Sequence, residues 1–167
     1  MKATLNLNGK DYEVEISEEM AKDLEQPQKT GYERNESRST YYCIDYDGQV
    51  TSDCDCKADE DNNCYEIANY YSDKTVAENN ARADTLMRKL RRFAVEHRKK
   101  DINWNDDSQA KYEIYYYHKD QGIKISPYQN CQDFGSIYFD THEAAKLAIE
   151  EFKDELIWYF TEYRDSL

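Results

Sequence analysis

Apolar and polar residues alternate at the start of this chain. ATLNL and DYEVEI do so around Asn8-Gly9, a dipeptide that accepts the positive φ of a tight turn, so residues 3–16 are expected as a β-hairpin. Ser17 then offers an N-cap ahead of Glu18 and Glu19, with Met20 and Leu24 four apart on a short helix. Pro27 and the polar run QPQKTGYERNESRST end that unit and have the composition of a linker.

From residue 41 the pattern occurs twice. YYCIDYDGQV (41–50) turns at Asp47-Gly48, CYEIANYY (64–71) is expected as a further strand, and 72–100 has helical periodicity through Ala83, Leu86, Met87, Leu90, Phe93 and Ala94. Later, KYEIYYYHKDQGIKIS (111–126) turns near Gly122 and GSIYF (135–139) returns. The span 140–160 is then helical through Ala145, Ala148, Ile149, Phe152, Leu156 and Tyr159. Placing Tyr70-Tyr71-Ser72 over Tyr138-Phe139-Asp140 sets Ala77 over Ala145. Asp140 with Glu143 has capping-box spacing. The pattern predicts an α+β fold: an antiparallel sheet with helices packed on one face, built from two strand-strand-helix half-repeats. The N-terminal hairpin and short helix (1–26) are joined to this main domain (41–167) by a linker (27–40).

Composition then narrows the chemistry. All five glycines sit at or beside predicted turns, which leaves none for a phosphate-binding loop. His97 lies on the apolar side near a helix end, His118 beside a hairpin turn and His142 in a first helical turn, so none stands out as a base. No nucleophile elbow, zinc-protease or calcium-loop pattern occurs, which points away from an enzyme. The N-terminus alternates and carries charge, unlike a signal peptide, and no stretch has the roughly 20 apolar residues of a membrane span. A cytoplasmic protein is expected, with its five cysteines reduced or bound to metal.

The segment TSDCDCKADEDNNC (51–64) concentrates that chemistry. Lys57 stands where a calcium loop needs an oxygen ligand, so calcium is not expected. Thiols offer another use. Cys54, Cys56 and Cys64 lie in the segment, and the repeat sets Cys131 over Asn63, next to Cys64, so four thiolates could converge on zinc. Equally, the thiols of the segment could be free and exposed. Cys43, inside a strand, is expected to be a small core residue.

Charge supplies the remaining signal. Residues 82–100 hold eight cations against Asp84 and Glu96, an excess of +6; with −13 overall, −19 falls on the rest. Arg88, Arg91, Arg92 and Lys99 form a basic helix face that could grip phosphates or simply be solvated, and the acidic surroundings oppose a duplex. The acids cluster as Asp53, Asp55, Asp59, Glu60 and Asp61, and as Glu150, Glu151, Asp154 and Glu155. Together with sixteen tyrosines, these are the candidate partner-binding residues, suited to a basic nucleic-acid-binding surface.

The ordered set YEIANYYSDKTVAE, a helix ending in LRRFAVEH, then INWNDD, KYEIYYY and GSIYFDTHEAAKLAIEE resembles small acidic proteins of phages and prophages of Gram-positive bacteria. The resemblance covers most of 41–160 and leaves out the cysteine-rich segment. Some small acidic phage proteins of this sort are anti-CRISPR inhibitors of type II systems. They bind the RNA-guided nuclease and stop it loading target DNA, and some carry zinc. The resemblance implies that class of role in the host cytoplasm and assigns no residues. The rival expectation is a small nucleic-acid-binding regulator using helix 82–100.

Overall fold

A computed structural model describes residues 2–17, 20, 29–128 and 130–163. Strands β1 (Lys2–Leu7) and β2 (Lys10–Glu15) pair antiparallel from Lys2 opposite Glu15 to Leu7 opposite Lys10. Asn8 and Gly9 both take positive φ at the turn, as the dipeptide implied. The Ser17 hydroxyl accepts the Met20 N–H at 3.0 Å. Leu24 and Pro27, expected in the short helix and at its end, lie outside the described residues.

The chain has an α+β fold in which the expected half-repeats differ in detail. In the first, β3 (Thr40–Ile44) and β4 (Val50–Cys54) form a hairpin, α1 (Asp59–Glu66) follows, Tyr71 bridges to Tyr42, and α2 (Lys74–Glu96) covers the hairpin. In the second, β5 (Lys111–Tyr117) lies between β6 (Gly122–Tyr128) and the short β7 (Tyr138–Phe139), and α3 (His142–Glu151) packs on β5 and β6. Tyr71 pairs with Tyr42 as Phe139 pairs with Tyr112, so the aromatic pairs superposed in sequence do equivalent work. Ala77 and Ala145, also superposed, are both fully buried.

Several boundaries differ from the sequence pattern. Residues 64–71, expected as a strand, begin inside α1 and reach the sheet only at Tyr71. Asp59, Glu60 and Asp61 fill the first turn of α1, where carboxylates complement the helix dipole, and Ala68 at φ 57° turns the chain back after it. The helix expected over 140–160 breaks at Phe152, resumes as α4 (Lys153–Trp158) and ends in a π-helical turn at Tyr159–Tyr163. Its cap is Thr141, whose hydroxyl accepts the Ala144 N–H at 3.2 Å. Asp140, expected in a capping box, is buried and accepts the Lys99 and Lys100 N–H groups at 2.8 and 2.9 Å.

The core gathers Leu86, Leu90 and Ala94 of α2, Phe139, Ala144, Ala145 and Ala148 around β7 and α3, and Leu156 of α4. Ile114, Ile123 and Ile125 close it from the sheet. Part of the expected linker belongs to this unit. Gly31 is buried at φ 86°, where a Cβ would sit 2.6 Å from Val76 Cγ2, and its carbonyl accepts the Ser72 N–H at 2.8 Å. No helix among the described residues is long and apolar enough to cross a membrane.

Candidate acidic interaction site

The end of β4 and the start of α1 are held by two buried carboxylates. Asp55 is fully buried, and its oxygens accept Arg34 Nε and Nη2 at 2.9 and 3.2 Å. The Tyr70 hydroxyl at 3.1 Å, Lys57 Nζ at 3.2 Å and the Lys57 N–H at 2.9 Å complete its shell. The Arg34 guanidinium, helped by the Lys57 and Tyr70 donors, holds the Asp55 carboxyl well below the usual carboxylate range, against the opposing effect of burial. Asp61, third residue of α1, reaches back to the Ala58 N–H at 3.0 Å and the Cys56 N–H at 2.9 Å. Its other oxygen accepts the Tyr41 hydroxyl at 3.1 Å. The Tyr41 and Tyr70 rings stack at 4.3 Å, so each ring of one buried pair serves one carboxylate. Burial first, then the bond to Asp61, pushes the Tyr41 phenol well above its ordinary value.

Asp55 and Asp61 are therefore removed from the acidic surface that the sequence suggested. Arg34, Lys57 and Tyr70 hold Asp55 inward between the exposed Cys54 and Cys56, and the capping geometry turns Asp61 toward its own helix N-terminus. Asp53, Asp59 and Glu60 remain exposed on the same segment. Tyr46, 96% exposed, projects from the β3–β4 turn between Asp45 and Asp47. Tyr65 and Ile67 are exposed at the far end of α1 beside Glu66.

The later acids are less uniform. Glu155 takes Arg82 in a two-point contact at 2.8 and 3.1 Å, and the same guanidinium lies 3.8 Å from the centre of the Trp158 ring. Arg82 holds the Glu155 carboxyl below its ordinary value. Glu150 pairs with Lys146 at 3.9 Å, whereas Glu151 and Asp154 are exposed. On the basic helix Arg88, Arg91 and Arg92 are exposed, as is Lys99 beyond its end; Arg92 meets Glu96 at 3.9 Å. His97 stacks on Phe93 at 3.8 Å, with Nδ1 3.0 Å from the Phe93 carbonyl oxygen.

The thiols do not gather into one set of four. Cys54 and Cys56 are exposed with sulfurs 3.8 Å apart, Cys64 neighbours Cys43, and Cys131 is exposed beside Asn130. Among the described residues no group of three or more His, Cys, Asp or Glu side chains is placed to hold a metal ion. Contact with Cys56, then burial, raises the Cys54 thiol; burial, then Cys43, raises Cys64.

An apolar cavity of about 310 Å³ opens between α2, β5 and the C-terminal helical segment. Leu86, Leu90, Ile114, Phe139 and Phe160 line it; Arg91 and the hydrogen-bonded pair Glu113 and Ser136 supply its polar edge. The sequence pattern missed the parts played by Arg34, Tyr41 and Tyr70, because an arginine in a polar run and tyrosines in strands carry no local mark of their partner. No protein-family model matches this sequence, and comparison with curated proteins and with solved structures returns no match.

Proposed function

We propose that the protein is a non-catalytic inhibitor of phage type that binds a host RNA-guided nuclease of a type II CRISPR system in the host cytoplasm. It keeps target DNA from loading by offering acidic and aromatic surface to the nuclease's basic channel. The observation that supports this reading is the exposed set Asp53, Asp59 and Glu60, carried on a segment fixed by the buried Asp55 and Asp61 networks. Carboxylates on a preorganised backbone lose little conformational freedom on meeting a cationic groove, and their field speeds encounter. Tyr46 and Tyr65 add large apolar contact with a polar tip, the residue type that most often anchors an interface.

The test is target cleavage by several type II nucleases with the protein added, together with co-elution on size exclusion. Inhibition is expected, with the triple variant D53N/D59N/E60Q roughly tenfold weaker and more so at low salt. Cleavage undiminished across the nucleases, with no complex formed, would sink the reading. The exposed Arg88, Arg91, Arg92 and Lys99 favour a second reading, direct binding of nucleic acid. A mobility shift at low salt, abolished in the Arg88/Arg92/Lys99→Ala variant, would select it instead.

A further inference from the structure

We propose that Cys54 and Cys56 are a dithiol that closes reversibly to an intramolecular disulfide, making the end of β4 a site of redox modification. Both side chains are exposed and their sulfurs are 3.8 Å apart. The proximity is built into the backbone. Ladder-like bonds continue past β4, from Asp55 N–H to the Ser39 carbonyl at 2.9 Å and from Arg38 N–H to the Asp55 carbonyl at 2.6 Å. Extended backbone puts residues two apart on one face, and the inward Asp55, gripped by Arg34 and Tyr70, fixes which face that is. The Cys56 N–H is bound to Asp61 at 2.9 Å, so the second thiol is anchored independently.

Closing the remaining distance to a bond of about 2.05 Å requires the two Cβ atoms to draw together, so the backbone around Asp55 shifts as the bond forms. Residues two apart on a strand are separated by roughly 6.6 Å, near the upper limit that a disulfide spans, so the closed bond is strained and readily reduced. A small disulfide such as oxidised glutathione supplies the oxidant. One cysteine thiolate attacks it, forming a mixed disulfide and releasing one glutathione. The other cysteine sulfur then attacks the protein-side sulfur and expels the second glutathione. The cysteine pair loses two electrons and two protons, which end on the two glutathione thiols.

Cys43 with Cys64, and the exposed Cys131, are the competing thiols. The full chain is incubated with oxidised glutathione and examined by intact mass and by tandem mass spectrometry of digests. Apart from any adduct on Cys131, the expected product has lost two hydrogens, with the bond between Cys54 and Cys56, and returns to the dithiol with dithiothreitol. Cys43→Ser still closes, whereas Cys54→Ser and Cys56→Ser each retain a glutathione adduct on the remaining thiol. Circular dichroism melts of the variants confirm that they fold. A bond mapped to Cys43–Cys64 in place of Cys54–Cys56, a lasting adduct on Cys54 or Cys56 of the wild type, or all five thiols left unreacted would each overturn the proposal; an adduct on the exposed Cys131 is expected and does not bear on it.

Discussion

Asp55 concentrates the residue-scale argument, because one carboxylate receives bonds from three side chains and anchors the chain between two exposed thiols. Burying such a charge is unfavourable unless donors replace its water, and Arg34, Lys57 and Tyr70 do so. Its carboxyl is held below the unfolded value of about 4, so the stabilisation it contributes is present above that value and lost as pH falls through the folded one. Tyr41 acts at the other end of the scale. Its phenol is raised, so its contribution is complete below the unfolded value near 10 and fades as pH climbs beyond it. We expect Asp55→Asn to lower the denaturation midpoint at neutral pH, and the gap from wild type to shrink as pH falls from neutral to below about 4. Chemical denaturation of both proteins over that range checks this; a gap independent of pH would show that charge is not what Asp55 supplies.

Helix starts carry the argument at the scale of elements. Asp73 caps α2 by accepting the Val76 N–H at 3.0 Å, and Thr141 caps α3 through the Ala144 N–H. The two caps occupy equivalent places in the half-repeats, one residue later than the capping box read from Asp140 and Glu143. Asp140 instead ties the chain after α2 to the start of α3, through the Lys99 and Lys100 N–H groups. Thr141→Ala is expected to cost about 1 kcal/mol, as lost N-caps do. Asp140→Ala is expected to cost more, about 2 kcal/mol or above, since it leaves two backbone donors without an acceptor. Urea midpoints of the two variants rank them, and the reverse order would return the capping role to Asp140. The break at Phe152, where φ is −112°, has no mark in the periodicity, because the apolar spacing continues on both sides of it.

Across the whole molecule, the described core residues all lie from Tyr41 onward, while the N-terminal hairpin closes on itself. Residues 31–35 side with the core, through Gly31 against Val76 and Arg34 on Asp55. Removing residues 1–28 is therefore expected to leave the melting temperature of the remainder within about 3 °C, a change worth less than roughly 1 kcal/mol at this size. Removing 1–35 is expected to lower it well beyond that, since Arg34 goes with it. Thermal melts of the two truncations decide the point. The same view explains the acidic surface: of nine candidate acids, two are buried in the fold and one is held by Arg82, so the net charge overstates what a partner would meet.

Periodicity by itself determined the hairpins, the long helix α2, the helical character of 142–158 and the pairing into half-repeats, because those features follow from local spacing and from apolar faces that must be covered. It also placed Ala77 and Ala145 at equivalent sites, and both are fully buried. Tertiary structure alone decided where polar residues go. Whether a carboxylate faces water or an arginine depends on a partner 21 positions away, as for Asp55 with Arg34, and no local pattern records that distance. The thiols divide in the same way: the spacing of Cys54 and Cys56 was visible from the start, whereas the positions of Cys64 and Cys131 depended on how the chain between them folds. Burial chooses among residues that look alike in sequence, because the cost of leaving a charge without donors is set by the completed fold.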